Sequence, residues 1–374
     1  MSLRGAGHCS DNSPKGHRPN ISGTSAEAPP IYDLENILII KPSSLGDIVL
    51  ALPALTALRK NLPEAKITWL IRPEFAPLLK NHPHITAVSI FDRELLGKAW
   101  FHPHAFASLL SLIRWLRRSK FDAVIDLQGL FRTASLAWLT GCKKRFGMAN
   151  ARELAHIFYT HKVQQENCIH LVDYYLKIIQ TATDSKTKAH FVFPRDPAAD
   201  DSVDSLLNSH GIKPENYAVF IPGSTHSDKC WPIRRFAALA DKISSRFHLS
   251  VVAAGTESEK QAIEGMKNLA NVPIADLAGR TSISELIALL KAAKIVVTND
   301  TGPGHIAAAL RTPLVMIFGR SNPARVAPYS KPQSVVAVEP AGRGPQPDSP
   351  DPRYDIKNIT VPQVYQKVCE QMDS

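Results

Sequence analysis

Short apolar runs alternate with longer amphipathic segments over the first half of the chain. Four runs rich in β-branched residues predict buried strands, at residues 37–40, 66–71, 88–91 and 123–126. After the first run, apolar residues follow at helical spacing, at Ile48, Leu52, Leu55 and Leu58. Further helices are predicted at residues 75–81, at 106–118 and after Leu130 through Leu139. Strands that alternate with helices are typical of a parallel, doubly wound sheet.

The same alternation restarts in the second half of the chain. Strands are predicted at residues 217–221, 249–254, 295–297 and 314–318. Helices are predicted at residues 233–246, 259–269, 282–293 and 306–310. Ser282 and Glu285 have the spacing of a capping box. Two successive α/β units predict two Rossmann-like domains that face a cleft, an arrangement that suits an enzyme joining two substrates.

Domain limits follow from the segments between these patterns. We expect an N-terminal domain at residues 34–185, a polar linker near 184–188 and a C-terminal domain at 186–345. Residues 1–33 are rich in Ser, Pro, Gly and Asn and predict a disordered tail. The section 146–170 is irregular and precedes a helix at 171–181. Residues 341–352 predict a surface loop, and the terminal helix at 361–372, within the segment 346–374, is expected to pack back on the N-terminal domain.

Composition is that of an ordinary globular protein, with 374 residues, 44% apolar and 21% charged. No apolar run approaches the roughly 18–20 residues that span a bilayer, and the first 20 residues lack the apolar core of a signal peptide. Five scattered cysteines form no C-x-x-C pair. They indicate a reducing compartment, such as the cytoplasm, with neither a disulfide framework nor a zinc site.

A net charge of +10 predicts acidic partners, which could be phosphates, an anionic membrane surface or nucleic acid. Basic residues cluster at 114–120 and at 143–145, although either cluster could be a solvated helix face or loop. No nucleic-acid-binding motif accompanies them. The sequence therefore favours an acidic substrate or a membrane surface and disfavours nucleic acid.

The stretch 295–310 combines a buried strand, a glycine-rich turn and an alanine-rich helix. Such a turn presents unpaired N–H groups and the positive end of the helix dipole to an anion. Asp300 and His305 flank this turn, and these two titratable side chains favour a functional role for it. The alternative is a capped helix after a tight turn.

Polar turns follow five of the predicted strands, at residues 41–47, 126–129, 222–225, 255–257 and 299–305. Ligands of open parallel sheets bind beyond the carboxyl ends of strands, so we expect the five turns to converge on one edge. None matches a dinucleotide or P-loop motif, and no Asp-x-Asp pair provides a metal site for a diphosphate. A site without metal needs protein cations, and Lys229 is a candidate.

Four ordered motifs together resemble glycosyltransferase family 9, the ADP-heptose:lipopolysaccharide heptosyltransferases. They are SSLGDIVLALPAL from Ser43, DLQGL from Asp126, PGST…DKCWP from Pro222 and NDTGPGH from Asn299. The resemblance covers residues 37–330 and implies a GT-B fold, with an acceptor-binding N-terminal domain and a nucleotide-sugar-binding C-terminal domain. The KPSSLGD and DLQGL forms are more similar to the enzymes that add the first heptose than to those that add the second.

The resemblance also implies roles for individual residues. Asp47 matches the general base. The residues matched to donor binding are Ser224, Thr225, Lys229, Glu257, Asp300, Thr301, Gly302 and His305. The residues matched to acceptor binding are Ser44, Gly46 and Arg152, with Arg132 and Lys144 as weaker candidates. Structural alternatives remain open for each role, namely helix capping for Asp47 and Glu257, turn capping for Ser224 and Thr225, packing for His305 and solvent exposure for the basic residues.

The function implied is an inverting, metal-independent transfer of L-glycero-D-manno-heptose from ADP-heptose to Kdo–lipid A. The enzyme would be a soluble monomer that needs no cofactor and works peripherally on the cytoplasmic face of the inner membrane, where its positive charge would help. Three alternatives remain: a related transferase with another acceptor or nucleotide sugar, a non-catalytic nucleotide-sugar-binding module, and a basic nucleic-acid-binding protein. Replacing Asp47 by Ala would leave the binding module unchanged and abolish transfer.

Overall fold

The structure is a computed structural model that describes residues 34–98, 101–340, 343, 346 and 348–373. The predicted tail at 1–33 lies outside the described residues, as does much of 341–347. The strands of the described part are Asn36–Ile40 (β1), Lys66–Ile71 (β2), Ala87–Ile90 (β3), Ala123–Asp126 (β4), Arg145–Met148 (β5), His161–Val163 (β6), Tyr217–Ile221 (β7), Ser250–Ala253 (β8), Ile274–Asp276 (β9), Ile295–Asn299 (β10), Leu314–Phe318 (β11) and Val335–Ala337 (β12).

Most α-helices of the described part lie where the apolar spacing predicts a helix. They are Leu45–Asn61 (α1), Arg93–Gly97 (α2), Pro103–Arg118 (α3), Phe131–Leu139 (α4), Leu171–Thr183 (α5), Pro197–Ser209 (α6), Ile233–Phe247 (α7), Lys260–Leu269 (α8), Ile283–Ala292 (α9), Gly302–Ala309 (α10), Pro323–Val326 (α11) and Val361–Met372 (α12). The capping box of Ser282 and Glu285 is confirmed at the start of α9. The helix predicted at 75–81 is instead a 3-10 helix, Pro73–Leu79, which contains a second proline at Pro77.

Two parallel sheets have the same topology. The first has the strand order β3-β2-β1-β4-β5-β6 and the second β12-β11-β10-β7-β8-β9. The strand order reverses between β1 and β4 in the first sheet and between β7 and β10 in the second. Such reversal points open the crevices in which doubly wound sheets bind ligands.

Strand register places the polar turns at these two crevices. Ile40 pairs with Asp126, so Lys41 leaves the first sheet beside that carboxylate. In the second sheet Thr298 pairs with Ile221, which brings the turn after β10 next to the turn after β7. The expected convergence of five turns on one edge is therefore wrong in one respect: two turns belong to the first sheet and three to the second.

A continuous apolar core joins the two sheets. It contains Ile39 and Trp69 from the first sheet and Val219 and Met316 from the second, all fully buried. Helix α1 lies at its centre and packs against both α5 and α10. Because α10 follows β10, this packing brings a helix of the second sheet onto a helix of the first.

Four edge or near-edge strands and three helices were not predicted. The section 146–170, expected to be irregular, contains most of β5 and all of β6, and the other unpredicted elements are β9, β12, α2, α6 and α11. These strands have only three or four residues, too few for an alternating pattern to stand out.

The terminal helix α12 does not pack back on the N-terminal sheet as expected. It packs against α7 and β11 of the second sheet, where Val364 and Val368 are fully buried. The segment before it is fixed by the Trp231 indole, whose Nε1 donates to the Ile359 carbonyl at 2.8 Å. An amphipathic helix shows which of its faces is apolar but not which surface covers that face.

No helix among the described residues combines the length and the apolar character that crossing a bilayer requires. Each of the four cysteines in the described part of the chain, Cys142, Cys168, Cys230 and Cys369, is a free thiol.

Candidate active site

The N-termini of α1 and α10 meet at close range because both carry glycine. A Cβ atom on Gly46 would lie 2.8 Å from Cδ2 of His305, and one on Gly302 would lie 2.8 Å from Cβ of Leu45. No side chain larger than hydrogen fits at either position without a shift of its neighbour. The two crevices are thereby joined into one site.

A cleft of about 600 Å³ opens beside this contact. Eight predicted site residues line it: Ser44, Gly46, Ser224, Thr225, Lys229, Asp300, Thr301 and Gly302. Residues that sequence reasoning missed complete the wall, among them Glu74, Phe75, Thr256, Glu259, Thr281 and Ser282. Its volume lies within the roughly 300–1,000 Å³ typical of small-molecule sites.

A second groove, of about 640 Å³, runs beside the edge strand β3. None of the described residues that line it is Asp or Glu, and it lies away from the turns after β1, β4, β7 and β10. The cleft at α1 and α10 is therefore the one with the chemistry of an active site.

Asp300 is a nearly buried carboxylate held between two cationic or potentially cationic groups. Its Oδ2 lies 2.9 Å from Nζ of Lys229, and its Oδ1 lies 3.7 Å from Nε2 of His305. Burial raises the pKa of Asp300, but His305 and Lys229 outweigh burial and hold it well below its ordinary value. Burial lowers the pKa of Lys229, and Asp300 reverses this, so the net shift is upward. Both groups of the pair are therefore charged at neutral pH.

The ammonium group of Lys229 is held by Asp300 and is also accessible from the cleft. Its side chain is 28% exposed and lines the cleft, whereas the side chain of Asp300 is only 7% exposed. The 3-10 helix Ser227–Lys229 carries it in from the turn after β7. An ammonium group held in this way offers a point charge to an anion in the cleft.

Asn299 connects three segments behind this pair. Its side-chain amide donates to the carbonyl of Pro222 at 2.7 Å, and its Oδ1 accepts from the backbone N–H of Trp231 at 3.0 Å. The residue is fully buried. The sequence signal for this role is an asparagine at the end of an apolar strand, but the partners of Asn299 lie about 70 residues away in the chain.

The first turn of α10 faces the cleft. Thr301 is the N-cap residue, and its hydroxyl lies 3.0 Å from that of Thr298. Gly302 and Pro303 follow and line the cavity. The unpaired N–H groups of this turn and the positive end of the helix dipole make it suitable for an anion. Nδ1 of His305, at 6% exposure, has no hydrogen-bond partner among the described residues.

Asp47 occupies the first turn of α1 on the opposite side of the contact. Its Oδ2 accepts hydrogen bonds from the backbone N–H and the hydroxyl of Ser44, at 3.3 and 3.1 Å. The alternative role of Asp47 as the N-cap is wrong, because Ser44 is the N-cap and Asp47 is the third helical residue of a capping box. The same oxygen lies 3.7 Å from Nζ of Lys41, and the side chain is 36% exposed.

The charge of Lys41 lowers the pKa of the Asp47 carboxyl. Burial raises the pKa of Asp47, yet Lys41, the hydrogen bonds from Ser44 and the nearby His305 hold it below the ordinary value. Lys41 itself is 2% exposed, and burial lowers its pKa although Asp47 and Asp126 act in the opposite direction. Sequence reasoning placed Lys41 in a polar turn but gave it no role.

Asp126 is a second carboxylate near Lys41, and it is fully buried. It accepts from the Tyr159 hydroxyl at 2.7 Å and from the backbone N–H groups of Gln128 and Gly129 at 2.8 and 3.2 Å. Burial raises its pKa, which these hydrogen bonds only partly offset. With its oxygens engaged and no exposed surface, Asp126 shapes the turn after β4.

The predicted acceptor residues Arg132 and Arg152 lie near the turn after β4. Arg132 is the second residue of α4 and is half-buried. Arg152 is exposed, and its backbone N–H donates to the Gly129 carbonyl at 3.1 Å. Its charge lowers the pKa of Lys41, which places it on the Asp47 side of the cleft. Neither arginine lines the cavity itself.

Glu257 lies at the rim of the cavity, outside its wall. Its side chain is 72% exposed and pairs with Lys260 at 3.4 Å, but it also adjoins Gly279, which lines the cavity. Glu259, two residues further along the chain, does line the cavity, and its carboxylate accepts from the N–H and hydroxyl of Thr256 at 2.7 and 3.0 Å. Ribose binding by Glu257 stays a prediction.

Within the part of the chain that the structure describes, no three His, Cys, Asp or Glu side chains group as metal ligands would. Lys229 lines the cleft, and Lys41 lies 3.7 Å from Asp47 with the charge of Arg152 nearby.

Comparison with known proteins adds sequence evidence to this geometry. A sequence model described as "Glycosyltransferase family 9 (heptosyltransferase)" matches residues 109–353. Lipopolysaccharide heptosyltransferase 1 of Salmonella typhimurium is 27% identical over 348 residues, which are 89% of this chain and 99% of the relative. Lipopolysaccharide heptosyltransferase 3 of Escherichia coli K12 is 28% identical over 284 residues, which are 74% of this chain and 80% of the relative.

Solved structures support the fold. The E. coli heptosyltransferase WaaC with ADP-2-deoxy-2-fluoro heptose superposes with a TM-score of 0.71 at 26% identity, over 90% of this chain and 99% of that one. The prediction of an α/β GT-B fold with two Rossmann-like sheets is confirmed.

Proposed function

This chain belongs to glycosyltransferase family 9, the heptosyltransferases, and we propose that it transfers L-glycero-D-manno-heptose from ADP-heptose to Kdo–lipid A with inversion at the anomeric carbon. The observation that carries this proposal is the contact between α1 and α10, which sets Asp47 opposite the Lys229–Asp300–His305 group. A carboxylate on one side and an anion-binding turn on the other are what a glycosyl transfer from a nucleotide sugar requires.

The second sheet would bind the donor. Lys229 and the first turn of α10 would hold the diphosphate, while Ser224, Thr225 and Thr301 supply hydroxyl donors at the cavity wall. Glu257 or the neighbouring Glu259 would bind the ribose. The structure of the E. coli relative with an ADP-heptose analogue supports an ADP-sugar as the donor.

Asp47 would act as the general base. The hydrogen bonds and the ion pair that its carboxylate makes within the described residues fall on Oδ2, so Oδ1 is the oxygen available to an acceptor hydroxyl. That hydroxyl gives its proton to Asp47 as its oxygen bonds to the anomeric carbon. The bond from this carbon to the β-phosphate oxygen breaks, and the electron pair leaves with ADP. A positioned base contributes about 10²–10⁴-fold to such a step.

Protein cations would replace a metal ion in this reaction. Charge develops on the departing ADP, and the Lys229 ammonium and the α10 dipole would stabilise it from the cavity wall. We therefore propose that no metal or other cofactor is needed. Ser44, Gly46, Arg152 and Arg132 would contact the acidic acceptor.

The acceptor is proposed from the relatives. Heptosyltransferase 1 of Salmonella typhimurium matches this chain over almost its whole length, which favours the first heptose addition. A different acceptor is the second candidate, because heptosyltransferase 3 of E. coli is equally identical over a shorter stretch. Either acceptor is a membrane glycolipid, so we propose a monomer acting peripherally on the cytoplasmic face of the inner membrane.

Transfer assays with two acceptors distinguish these candidates. Purified protein is incubated with ADP-heptose, EDTA and either Kdo–lipid A or the same lipid already carrying core heptoses. We expect heptose to be added to Kdo–lipid A with EDTA present. Transfer only to the heptosylated lipid would support the second candidate, and dependence on added Mg²⁺ would contradict the metal-free mechanism.

A further inference from the structure

Large apolar side chains are exposed together on one side of the first sheet. Phe131 and Trp138 of α4 are half-exposed, and Leu154 and Ile157 beside them are 66% and 58% exposed. The ring of Phe158 joins the group, with its centroid 5.3 Å from that of Phe131 and 6.4 Å from that of Trp138. We call these five residues the α4 patch. Contiguous exposed apolar surface of this kind marks an interaction site.

The surroundings of the α4 patch are strongly basic. Residues 131–162 contain one acidic residue, Glu153, and six basic residues, which are Arg132, Lys143, Lys144, Arg145, Arg152 and Lys162. The carboxylate of Glu153 accepts the backbone N–H of Phe131 at 3.1 Å. The chain as a whole has 44 basic and 34 acidic residues, so this segment concentrates the excess charge.

Helix α3 extends the basic surface. It packs on the same face of the first sheet as α4, with Leu116 of α3 and Leu136 of α4 in one apolar cluster. Its last two turns carry Arg114, Arg117 and Arg118, all exposed, and the helix has no acidic residue. Phe106, near its N-terminus, is 48% exposed.

The α4 patch borders the acceptor side of the cleft. Phe131 begins α4 directly after the turn at the end of β4. Arg152, next to Glu153, is hydrogen-bonded to Gly129 of that turn and acts electrostatically on Lys41, the neighbour of Asp47. A surface that binds the α4 patch would therefore lie beside the carboxylate that faces the acceptor.

We propose that the α4 patch docks on an anionic lipid bilayer and sets the cleft over the headgroup of a lipid-linked acceptor. Trp138, Leu154 and Ile157 enter the interfacial layer, while the basic residues around them contact anionic headgroups. A second copy of this chain is disfavoured as the occupant, because two such surfaces would bring six basic residues against six. The orientation rests on the proposed function, since only a membrane acceptor gives it a purpose.

Vesicle sedimentation tests the docking directly. The full chain is incubated with phosphatidylcholine vesicles or with vesicles that contain about 30 mol% phosphatidylglycerol. We expect partition to increase about tenfold with the anionic lipid and to fall about tenfold in the variant Leu154→Ser/Ile157→Ser. Leu269→Ser is the matched control, because Leu269 is also 58% exposed but lies on α8 of the second sheet. Its partition should equal that of the unchanged protein.

The outcomes separate docking from catalysis. Equal partition of the double variant and the unchanged protein would overturn the assignment, as would equal losses in the double variant and in Leu269→Ser. Binding to phosphatidylcholine alone, or self-association through the patch in sedimentation velocity, would also overturn it. ADP binding, measured in the same preparations, should be unaffected in every variant. If the unchanged protein did not bind ADP, the proposed function would be contradicted, whereas the vesicle result would still stand.

Discussion

Asp300 retains a negative charge in a nearly dry position because Lys229 and His305 compensate for the lost hydration. The same ammonium is proposed to bind the diphosphate, so Lys229 has a structural partner and a ligand. A lysine that serves both is more than an exposed loop residue, which was the alternative at this position.

Replacing Lys229 by Met should affect binding and stability together. We expect ADP affinity to fall about 10–100-fold, because one charge-assisted contact is lost. The free energy of unfolding should fall by about 1–3 kcal/mol, less than for a fully buried pair because the lysine is 28% exposed. Calorimetry and urea denaturation measure the two effects. The control Lys260→Met breaks an exposed pair with Glu257 and should change the free energy of unfolding by less than about 0.5 kcal/mol. Unchanged ADP affinity in Lys229→Met would contradict the assigned role.

Replacing Lys41 by Met should alter the pH dependence of transfer. The Lys41 ammonium lowers the pKa of Asp47, so its removal raises that pKa. A general base must be deprotonated, and the acid limb of kcat/KM should therefore move to higher pH. Lys41→Arg keeps the charge and serves as the control. An acid limb that is unchanged in Lys41→Met would show that Asp47 is not the group observed in the profile.

Single residues of the site were predictable where a motif places them and unpredictable where a tertiary contact does. Asp47 and Asp300 follow from their turns, and the structure places both at the contact between α1 and α10. Lys41 and Asn299 gained their significance only from partners across the fold, since Asn299 bonds to Pro222 across 77 positions of sequence. No local pattern encodes such a pairing.

At the scale of elements, the contact between α1 and α10 depends on two glycines. Gly46→Ala should lower the free energy of unfolding by about 1–3 kcal/mol, because the added methyl group would overlap His305. The same change at Gly265 is the matched control. Its Cβ would lie in α8 with Cγ2 of Ile233 at 3.8 Å, so Gly265→Ala should increase stability by about 0.5–1 kcal/mol. Thermal unfolding measures both, and equal effects would refute a special role for Gly46.

Long, strongly patterned elements were the predictable ones. Strands β2, β4, β7 and β11 match the predicted ranges because each is an apolar run bounded by polar turns. Strand β5, with the sequence RFGM, has too few apolar residues to stand out. The position of α12 could not be derived because several surfaces would bury Val364 and Val368 equally well.

At the scale of the whole molecule, the same strand order occurs twice and the two reversal points face each other through α1 and α10. The repeated alternation of strands and helices made two Rossmann-like sheets predictable. A cleft between them was predicted as well, but the close contact of α1 with α10 was not, because it depends on Gly46 and Gly302 at one helix contact.

The segment that joins the two sheets is bound to the first by His82. Its Nε2 lies 3.0 Å from the Val192 carbonyl, and its Nδ1 accepts the His84 backbone N–H at 3.2 Å. In the neutral tautomer that these bonds indicate, both ring nitrogens are satisfied. Burial lowers the pKa of His82 to about 4, so the unfolded chain binds the proton more tightly.

Stability should therefore fall as the pH decreases from 6.5 towards 4. For His82 alone we expect a loss of about 2 kcal/mol between pH 7 and pH 5. His82→Gln should be less stable at pH 7 and lose about 2 kcal/mol less over this interval, as measured by urea denaturation. His104→Gln, at an exposed position of α3, should behave as the unchanged protein does. A His82→Gln variant with the full pH dependence would contradict this account.

The central claim is that one carboxylate on α1 acts on a sugar nucleotide held by the second sheet, and Asp47→Asn tests it most directly. Initial rates of heptose transfer from ADP-heptose to Kdo–lipid A are measured with ADP affinity in the same preparations. We expect the rate to fall about 10²–10⁴-fold with ADP affinity unchanged, because the amide keeps the shape and cannot accept the proton. Equal transfer rates in the variant and the unchanged protein would contradict Asp47 as the base.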